Sequence, residues 1–377
     1  MSFDYIVEQK WTKDLPGMIK AGLTENKRDL ELSAISLVRR LRKEFPDVSK
    51  EIASVLSSYS SGAGVFRSAG IAPPADRDSN ANLLQVEDKI TGAQSPLFNS
   101  DIKRSVDRFI AERIRTEELL AAGVFPANKL LLTGAPGTGK TMLATWLAQE
   151  LGMKLAVFDL ATSISSLLGN TGMNIKRIFT YAKQESIILF LDEFDAIAKR
   201  RDDTTDVGEL KRIVNVLLKE MEAWPSRSIL IAATNHPEML DSAIHRRFDT
   251  CITLPMPNGA QTENIIIRAL GSYAKEISSS VIKAACNIQE EHNASDIVLF
   301  ANNSIKHHLI SGDSMNDSIL LTLLEQTNRV SNSKSKGELL RKIKQSMGKR
   351  ITVRKLASLS GLSSTTVQYH IKKGADK

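Results

Sequence analysis

The chain has 377 residues, 42% of them hydrophobic and 25% charged, and a formal net charge of +7. That length predicts two or three domains at roughly 150 residues each, and the composition excludes a disordered tail or a membrane-embedded protein. The longest apolar run near the centre, residues 187–191, is far short of the ~20 residues that cross a bilayer, and the N-terminus MSFDYIVEQKWTKD has no apolar signal core, so the reading is cytoplasmic. Cys251 and Cys286 stand apart from any metal-type cluster, which argues against a disulfide framework and a zinc module. The charge is localised: residues 331–377 carry a net +10, leaving −3 on the first 330. Nucleic-acid binding, if present, is then expected to be a detachable property of the tail.

In chain order, Leu30, Ala34, Leu37, Val38, Leu41 and Phe45 recur at helical spacing, and after a break at Pro46 and Asp47 a second stripe follows at Val48, Ile52, Val55, Leu56 and Tyr59. Residues 1–59 read as a helical module, either a small bundle packed on itself or a partner-docking surface. The Ser-, Gly- and Pro-rich stretch 60–82 reads as a linker. From residue 83 to 257 short apolar runs alternate with helical stretches, with strands expected at 129–133, 155–159, 187–192, 228–233 and 250–254. This is the pattern of an α/β fold with a five-stranded parallel sheet. Residues 258–327 read as a small helical lid, strandless from Gly259 to about Gly312, and residues 328–377 as a basic helical tail.

Two segments carry chemistry. Gly134-Ala135-Pro136-Gly137-Thr138-Gly139-Lys140-Thr141 fits G-x-x-x-x-G-K-[ST] between an expected strand and an expected helix. Its glycines let backbone N–H groups curl around phosphates, aided by the helix N-terminus. Lys140 would reach the β- and γ-phosphates of ATP and the Thr141 hydroxyl would ligate Mg²⁺. The apolar strand before Asp192-Glu193 ends in two carboxylates, with Asp192 expected in the Mg²⁺ shell and Glu193 as the base that polarises water.

With GAPGTGKT and ILFLDEFDAIAKRRDD in this order, the chain resembles the AAA clade of the AAA+ ATPases, over roughly residues 95–312. The resemblance implies a P-loop NTPase, a ring (a hexamer) with nucleotide at each interface, and further roles. Ala232-Ala233-Thr234-Asn235 resembles sensor 1, where Asn235 would orient the lytic water. Residues 240–249 resemble the segment bearing arginine fingers, so Arg246 and Arg247 would reach a neighbouring subunit's site. Asn293-Ala294-Ser295-Asp296-Ile297 resembles the start of the lid helix. Protein-threading members carry an aromatic in the pore loop, and this chain has Leu167 there, a smaller apolar grip; gentler switching or recruitment stands beside vigorous unfolding.

In the tail, residues 338–347, 352–359 and 363–373 read as helices. Ala357, Gly361 and Val367 lie at offsets resembling a helix-turn-helix, with Ser363, Ser364, Thr365, Thr366, Gln368 and Tyr369 near the start of the second helix. DNA contact through residues 338–373, a protein-docking three-helix module, and a plain cap on the lid all fit this pattern. The expected function is a ring-forming ATPase coupling hydrolysis to remodelling or switching of a protein client, engaged by the N-terminal module or the pore. The alternatives are a DNA-associated regulatory ATPase and a regulatory ATPase subunit for a separate protease or nuclease. No membrane partner is expected.

Overall fold

Five short runs become adjacent strands; four are apolar on both faces and need cover on both, while the fifth, TCIT, buries only Ile252. In the computed structural model, which describes residues 15–23, 27–60, 73–74, 83–88, 90–161, 171–199, 207–326 and 333–372, they are β2 (Lys129–Thr133), β3 (Leu155–Asp159), β4 (Ile188–Asp192), β5 (Ile229–Thr234) and β6 (Thr250–Thr253). A sixth strand that the sequence did not suggest, β1 (Gln85–Glu87), pairs antiparallel with β3, with Val86 opposite Ala156. Three residues with one half-buried side chain are too short to show periodicity. The sheet order is β1-β3-β4-β5-β2-β6, so β2 lies between two strands that follow it in sequence. At such a switch in strand order, adjoining loops separate at the carboxyl ends and leave a crevice.

The chain divides into two compact units, residues 1–134 with 140–254, and residues 135–139 with 255–377. In the first unit, α4 (Ser100–Ile114) and α6 (Lys140–Glu150) cover one face of the sheet, packing Val106, Phe109, Leu143 and Leu147 on Leu130, Leu132, Phe190 and Ile231. The other face is covered by α7 (Thr171–Glu185) and α9 (Val207–Glu222), through Ile175, Ile178, Leu217 and Met221 on Leu131, Leu189, Leu191 and Ala232. Odd and even strand residues thus serve opposite cores, as the two-residue period requires.

The N-terminal helices α1 (Leu15–Leu23), α2 (Lys27–Leu41) and α3 (Pro46–Ser60) belong to this unit. The α2 stripe is buried at Ala34, Leu37, Val38 and Leu41, while Phe45 is exposed. The expected α3 stripe is only partly the packed face: Ile52 and Leu56 are half-buried, Val48 and Val55 are exposed, and Ser49 and Ala53 are the buried positions. Ser49 Oγ donates to Val38 O at 3.1 Å, and Ala53 joins Ile35 and Leu120 in a small core that includes Phe125. Leu120 lies on α5 (Thr116–Ala121), so the module packs neither on itself alone nor away from the rest of the unit. Arg39 Nε donates to Gly123 O, and Ser226 N donates to Glu31 Oε2 at 3.2 Å. Burial pulls the Arg113 guanidinium down to about 10, against an opposing pull from Glu31.

The second unit is helical: α11 (Gly259–Leu270), α12 (Ser279–Gln289), α13 (Ala294–Ser311), α14 (Met315–Gln326), α15 (Ser333–Met347), α16 (Val353–Ser360) and α17 (Ser364–Lys372). Asn258 and Gln261 close a capping box on α11, and Gly312 ends α13 with φ +71°. The tail is not detachable. Leu339, Leu340, Ile343, Met347, Ile351, Leu356 and Val367 share one continuous core with Ile266, Phe300, Ile319 and Leu323 of the preceding helices. Each such side chain contributes about 1.5–3 kcal/mol of burial, so removing residues 331–377 would strip the core of the lid. Gly361 takes φ +68° between α16 and α17, a turn that disfavours any residue with a Cβ. The expected linker falls largely at 61–72 and 75–82 and the pore loop with Leu167 at 162–170, both outside the described residues.

Candidate nucleotide site

Gly134 follows Thr133, the last residue of β2, and Lys140 opens α6, so the cationic side chain starts at a helix N-terminus beside the carboxyl edge of the sheet. Lys140 is 8% exposed, and its Nζ donates to Gly134 O at 2.8 Å and to Asn235 Oδ1 at 2.6 Å. Burial lowers its pKa, and the nearby carboxylates Asp192 and Asp195 oppose that shift. A buried ammonium held by two oxygens suits a site that receives a polyanion.

Asp192 is the last residue of β4, and Thr141 Oγ1 lies 3.4 Å from its Oδ2. Asp192 Oδ1 accepts from the N–H of Glu193 at 2.9 Å. Glu193 is exposed and sits at φ +50°, a left-handed conformation that costs a side-chain-bearing residue on the order of 1 kcal/mol or more. The strained turn aims the two consecutive carboxylates differently, one at Thr141 and one out to solvent.

Asn235 follows the last residue of β5. A residue that sequence reasoning overlooked fixes this strand end: Asp195, 2% exposed, whose Oδ1 accepts from Thr234 Oγ1 at 3.1 Å and Asn235 N at 3.3 Å. Phe194 N donates to Ala233 O at 2.9 Å, so the β4 and β5 termini are laced together on both sides of Asp195. The available signal is the third acid of Asp192-Glu193-Phe194-Asp195, which lies outside the carboxylate pair.

The segment bearing Arg246 and Arg247 is anchored at several points. Asp241 caps α10 (Ser242–His245) by accepting from Ile244 N at 2.9 Å, Phe248 stacks edge-to-face on Phe194 at 5.9 Å, and Asp249 Oδ2 accepts from the N–H groups of Asn128 and Lys129, each at 3.0 Å. The two arginines part ways: Arg246 is exposed, whereas Arg247 is ion-paired with Glu222 at the end of α9.

Residues 135–139 group with the second unit. There Thr138 Oγ1 donates to Ala135 O at 2.9 Å, and Ser295, one residue into α13, donates its N–H to Gly137 O at 3.1 Å. Gly137 has φ +75°, and a Cβ on it would come within 2.5 Å of Asn293 Oδ1, so glycine is required there on two counts. Asn293 caps α13 by accepting from Asp296 N at 2.8 Å. Of the expected site residues, Gly134, Lys140, Thr141, Asp192, Glu193 and Asn235 are linked to one another in the first unit, and Ala135, Pro136, Gly137, Thr138 and Gly139 lie with the second. The segment of Arg246 and Arg247 meets the former group through the Phe248–Phe194 stack.

Residues 130–256 match the model of the ATPase family associated with various cellular activities. Residues 130–256 are an AAA domain. An uncharacterized AAA family ATPase, y4kL, of Sinorhizobium fredii is 42% identical over 151 residues, 40% of this chain and 46% of that protein. A proteasome-activating nucleotidase of Methanococcus maripaludis is 30% identical over 236 residues, 56% of this chain and 58% of that one. The chain thus spans about half the length of the curated relatives it matches. The crystal structure of the FIGL-1 AAA domain superposes with a TM-score of 0.52 at 16% identity, over 74% of this chain and 90% of that one, a likeness of fold. The six-stranded, mostly parallel sheet with helices on both faces agrees with the AAA domain fold. Among the described residues no helix is long and apolar enough to cross a membrane.

Proposed function

We propose that this chain hydrolyses ATP within a homo-oligomeric ring, a hexamer, and uses the turnover to remodel or switch a protein client. The observation that carries the reading is the convergence of Lys140, Thr141, Asp192, Glu193 and Asn235 at the carboxyl ends of β2, β4 and β5. Backbone N–H groups of residues 134–141 cradle the phosphates and Lys140 neutralises them. The Thr141 hydroxyl and Asp192 carboxylate are hard oxygen donors 3.4 Å apart, a pair that fits Mg²⁺, a cation that keeps several waters and takes phosphate oxygens as further ligands. Among the described residues no cluster of three His, Cys, Asp or Glu side chains could hold a metal by itself, in keeping with an ion that arrives with the nucleotide. Held by Thr141 and Asp192, Mg²⁺ would offset charge on the β- and γ-phosphates.

Phosphates entering the loop compete with Asn235 for the Lys140 ammonium. The freed Asn235 amide then holds the attacking water beside Glu193, whose exposed carboxylate takes its proton. Arg246 and Arg247 stabilise the γ-phosphate charge of the neighbouring subunit. A protein client is favoured by the archaeal relatives, whose name describes a nucleotidase that activates a proteasome. The same observation favours a second reading, a regulatory ATPase for a separate protease.

The test is steady-state phosphate release with the wild type and Glu193→Gln. Turnover should fall by on the order of 10²–10⁴ while labelled ATP stays bound to an assembled oligomer, and proteins retained on the trapped Glu193→Gln form would include the client. Near-normal turnover in Glu193→Gln would remove that residue from the mechanism.

A further inference from the structure

The positive charge of the tail falls into two sets. Arg341 Nε donates to His370 O at 3.2 Å, Lys344 Nζ to Gly348 O at 2.7 Å and Ile351 O at 2.6 Å, and Lys355 Nζ to Asp317 Oδ2 at 2.7 Å. These three cations bind the tail helices to one another and to α14. Lys342, Lys349, Arg350, Arg354 and Lys372 are exposed and take no part in that bracing.

The exposed face of α17 is polar throughout. Ser364, Thr365, Gln368, Tyr369 and Lys372 stand at spacings of 0, 1, 4, 5 and 8, one side of a helix, and all five are exposed. Val367 is fully buried and Ile371 packs on the lid core, so the apolar side of the helix is already satisfied. Tyr369 is 55% exposed and is the one large ring on that side. Ser363 accepts from Thr366 N at 3.1 Å and caps the start of the helix, two residues after the left-handed Gly361. A protein-docking face is expected to offer aliphatic or aromatic anchors in a cluster. This one offers hydroxyls, an amide and a phenol in two consecutive turns, and solvent-facing cations occur on segment 349–354, which leads into α16, the helix packed on α17.

We propose that α17 enters the major groove of duplex DNA, with Ser364, Thr365, Gln368 and Tyr369 toward base edges and Lys349, Arg350 and Arg354 on backbone phosphates. Gln is suited to adenine, whose N6 and N7 present a donor and an acceptor to its amide, and hydroxyls serve either base edges or phosphates. The cations supply the sequence-independent attraction. This DNA surface goes beyond the ATPase reading and does not depend on it.

The experiment uses the full chain and a fluorescent duplex of roughly 30 base pairs, titrated by anisotropy at several salt concentrations, together with selection from a randomised duplex pool. Arbitrary duplex should bind with a dissociation constant of about 10⁻⁴–10⁻⁶ M at physiological salt. Lys349→Ala/Arg350→Ala/Arg354→Ala should weaken binding at least about tenfold and reduce the salt slope by about 3, one for each phosphate no longer neutralised. Gln368→Ala/Tyr369→Ala should keep the slope while relaxing or abolishing the selected sequence. Lys103→Ala/Arg104→Ala/Arg108→Ala, an equal loss of charge on α4, should change neither, and unchanged circular dichroism and melting would show that all variants fold. The proposal is overturned if the tail triple variant binds duplex like the parent, if Gln368→Ala/Tyr369→Ala selects the same sequence with the same affinity, or if no salt-sensitive duplex binding occurs.

Discussion

Lys140 Nζ donates to Asn235 Oδ1 at 2.6 Å, joining the first residue of the helix after the glycine-rich turn to the end of a strand 95 positions later. The contact exists because β2 and β5 are neighbours in register, Thr133 beside Thr234, so the residues that leave the two strands emerge side by side. In the proposed cycle this bond is exchanged for one to phosphate. Asn235→Ala should therefore cost turnover, on the order of 10², while leaving nucleotide affinity within a few fold. Lys140→Ala should lose nucleotide binding itself. Phosphate release and titration with a fluorescent nucleotide separate the two, and an equal loss of affinity in both variants would show that Asn235 holds the nucleotide rather than the water.

Asp195 positions Asn235 through the backbone. Replacing it with Ala leaves the Thr234 hydroxyl and the Asn235 N–H without that acceptor, at about 1–3 kcal/mol for each unsatisfied group. Asp195→Asn keeps an oxygen acceptor there. Melting should drop clearly for Asp195→Ala and less for Asp195→Asn, and kcat should fall more than KM rises in both. A change in KM alone would mean that Asp195 serves nucleotide binding.

The two arginines should separate experimentally. Arg247 shares an ion pair with Glu222 in which both side chains are well exposed, a pair worth at most about 1 kcal/mol, so Arg247→Ala should slightly lower the melting temperature as well as activity. Arg246→Ala should leave melting unchanged and lower turnover by on the order of 10³. Oligomers mixed from Arg246→Ala and Lys140→Ala subunits should regain part of the turnover, since some interfaces then hold one intact loop and one intact arginine. Strictly additive loss in mixtures would argue that Arg246 does not act between chains.

Glu31 on α2 accepts from Ser226 N at 3.2 Å, and its charge opposes the burial that lowers the Arg113 pKa on α4. Glu31→Ala takes away both the acceptor and the charge and should cost about 1–3 kcal/mol in chemical denaturation. Glu31→Met/Arg113→Met, which removes both charges, should recover the part of that loss that comes from charge. If the single and double variants melt alike, the pair contributes packing and not charge.

The candidate nucleotide site was legible in the sequence because its residues are local: eight consecutive residues form the loop, and the acids at 192 and 193 end a strand whose apolar run announces it. The strands matched to within a residue or so, since both-face burial leaves an uninterrupted aliphatic signature. Asp195 escaped because its role is a buried hydrogen bond to a strand that lies 39 and 40 residues onward, and no spacing rule records that.

The sequence by itself determined that a glycine-rich loop of the G-x-x-x-x-G-K-[ST] type, a pair of acids and a basic tail occur in this chain, because each is a matter of residue type over a short window. Only the tertiary structure decided what they pack against. It turned α3 onto Ser49 and Ala53 rather than the valine stripe, because the available partner surface was Leu120 and Val38. It merged the tail with the lid in one apolar core, and it sorted a uniform run of lysines and arginines into cations that brace helices and cations that face solvent. Burial and pairing depend on which elements meet, and adjacency between distant segments is set by the whole sheet and helix arrangement rather than by any window of the chain.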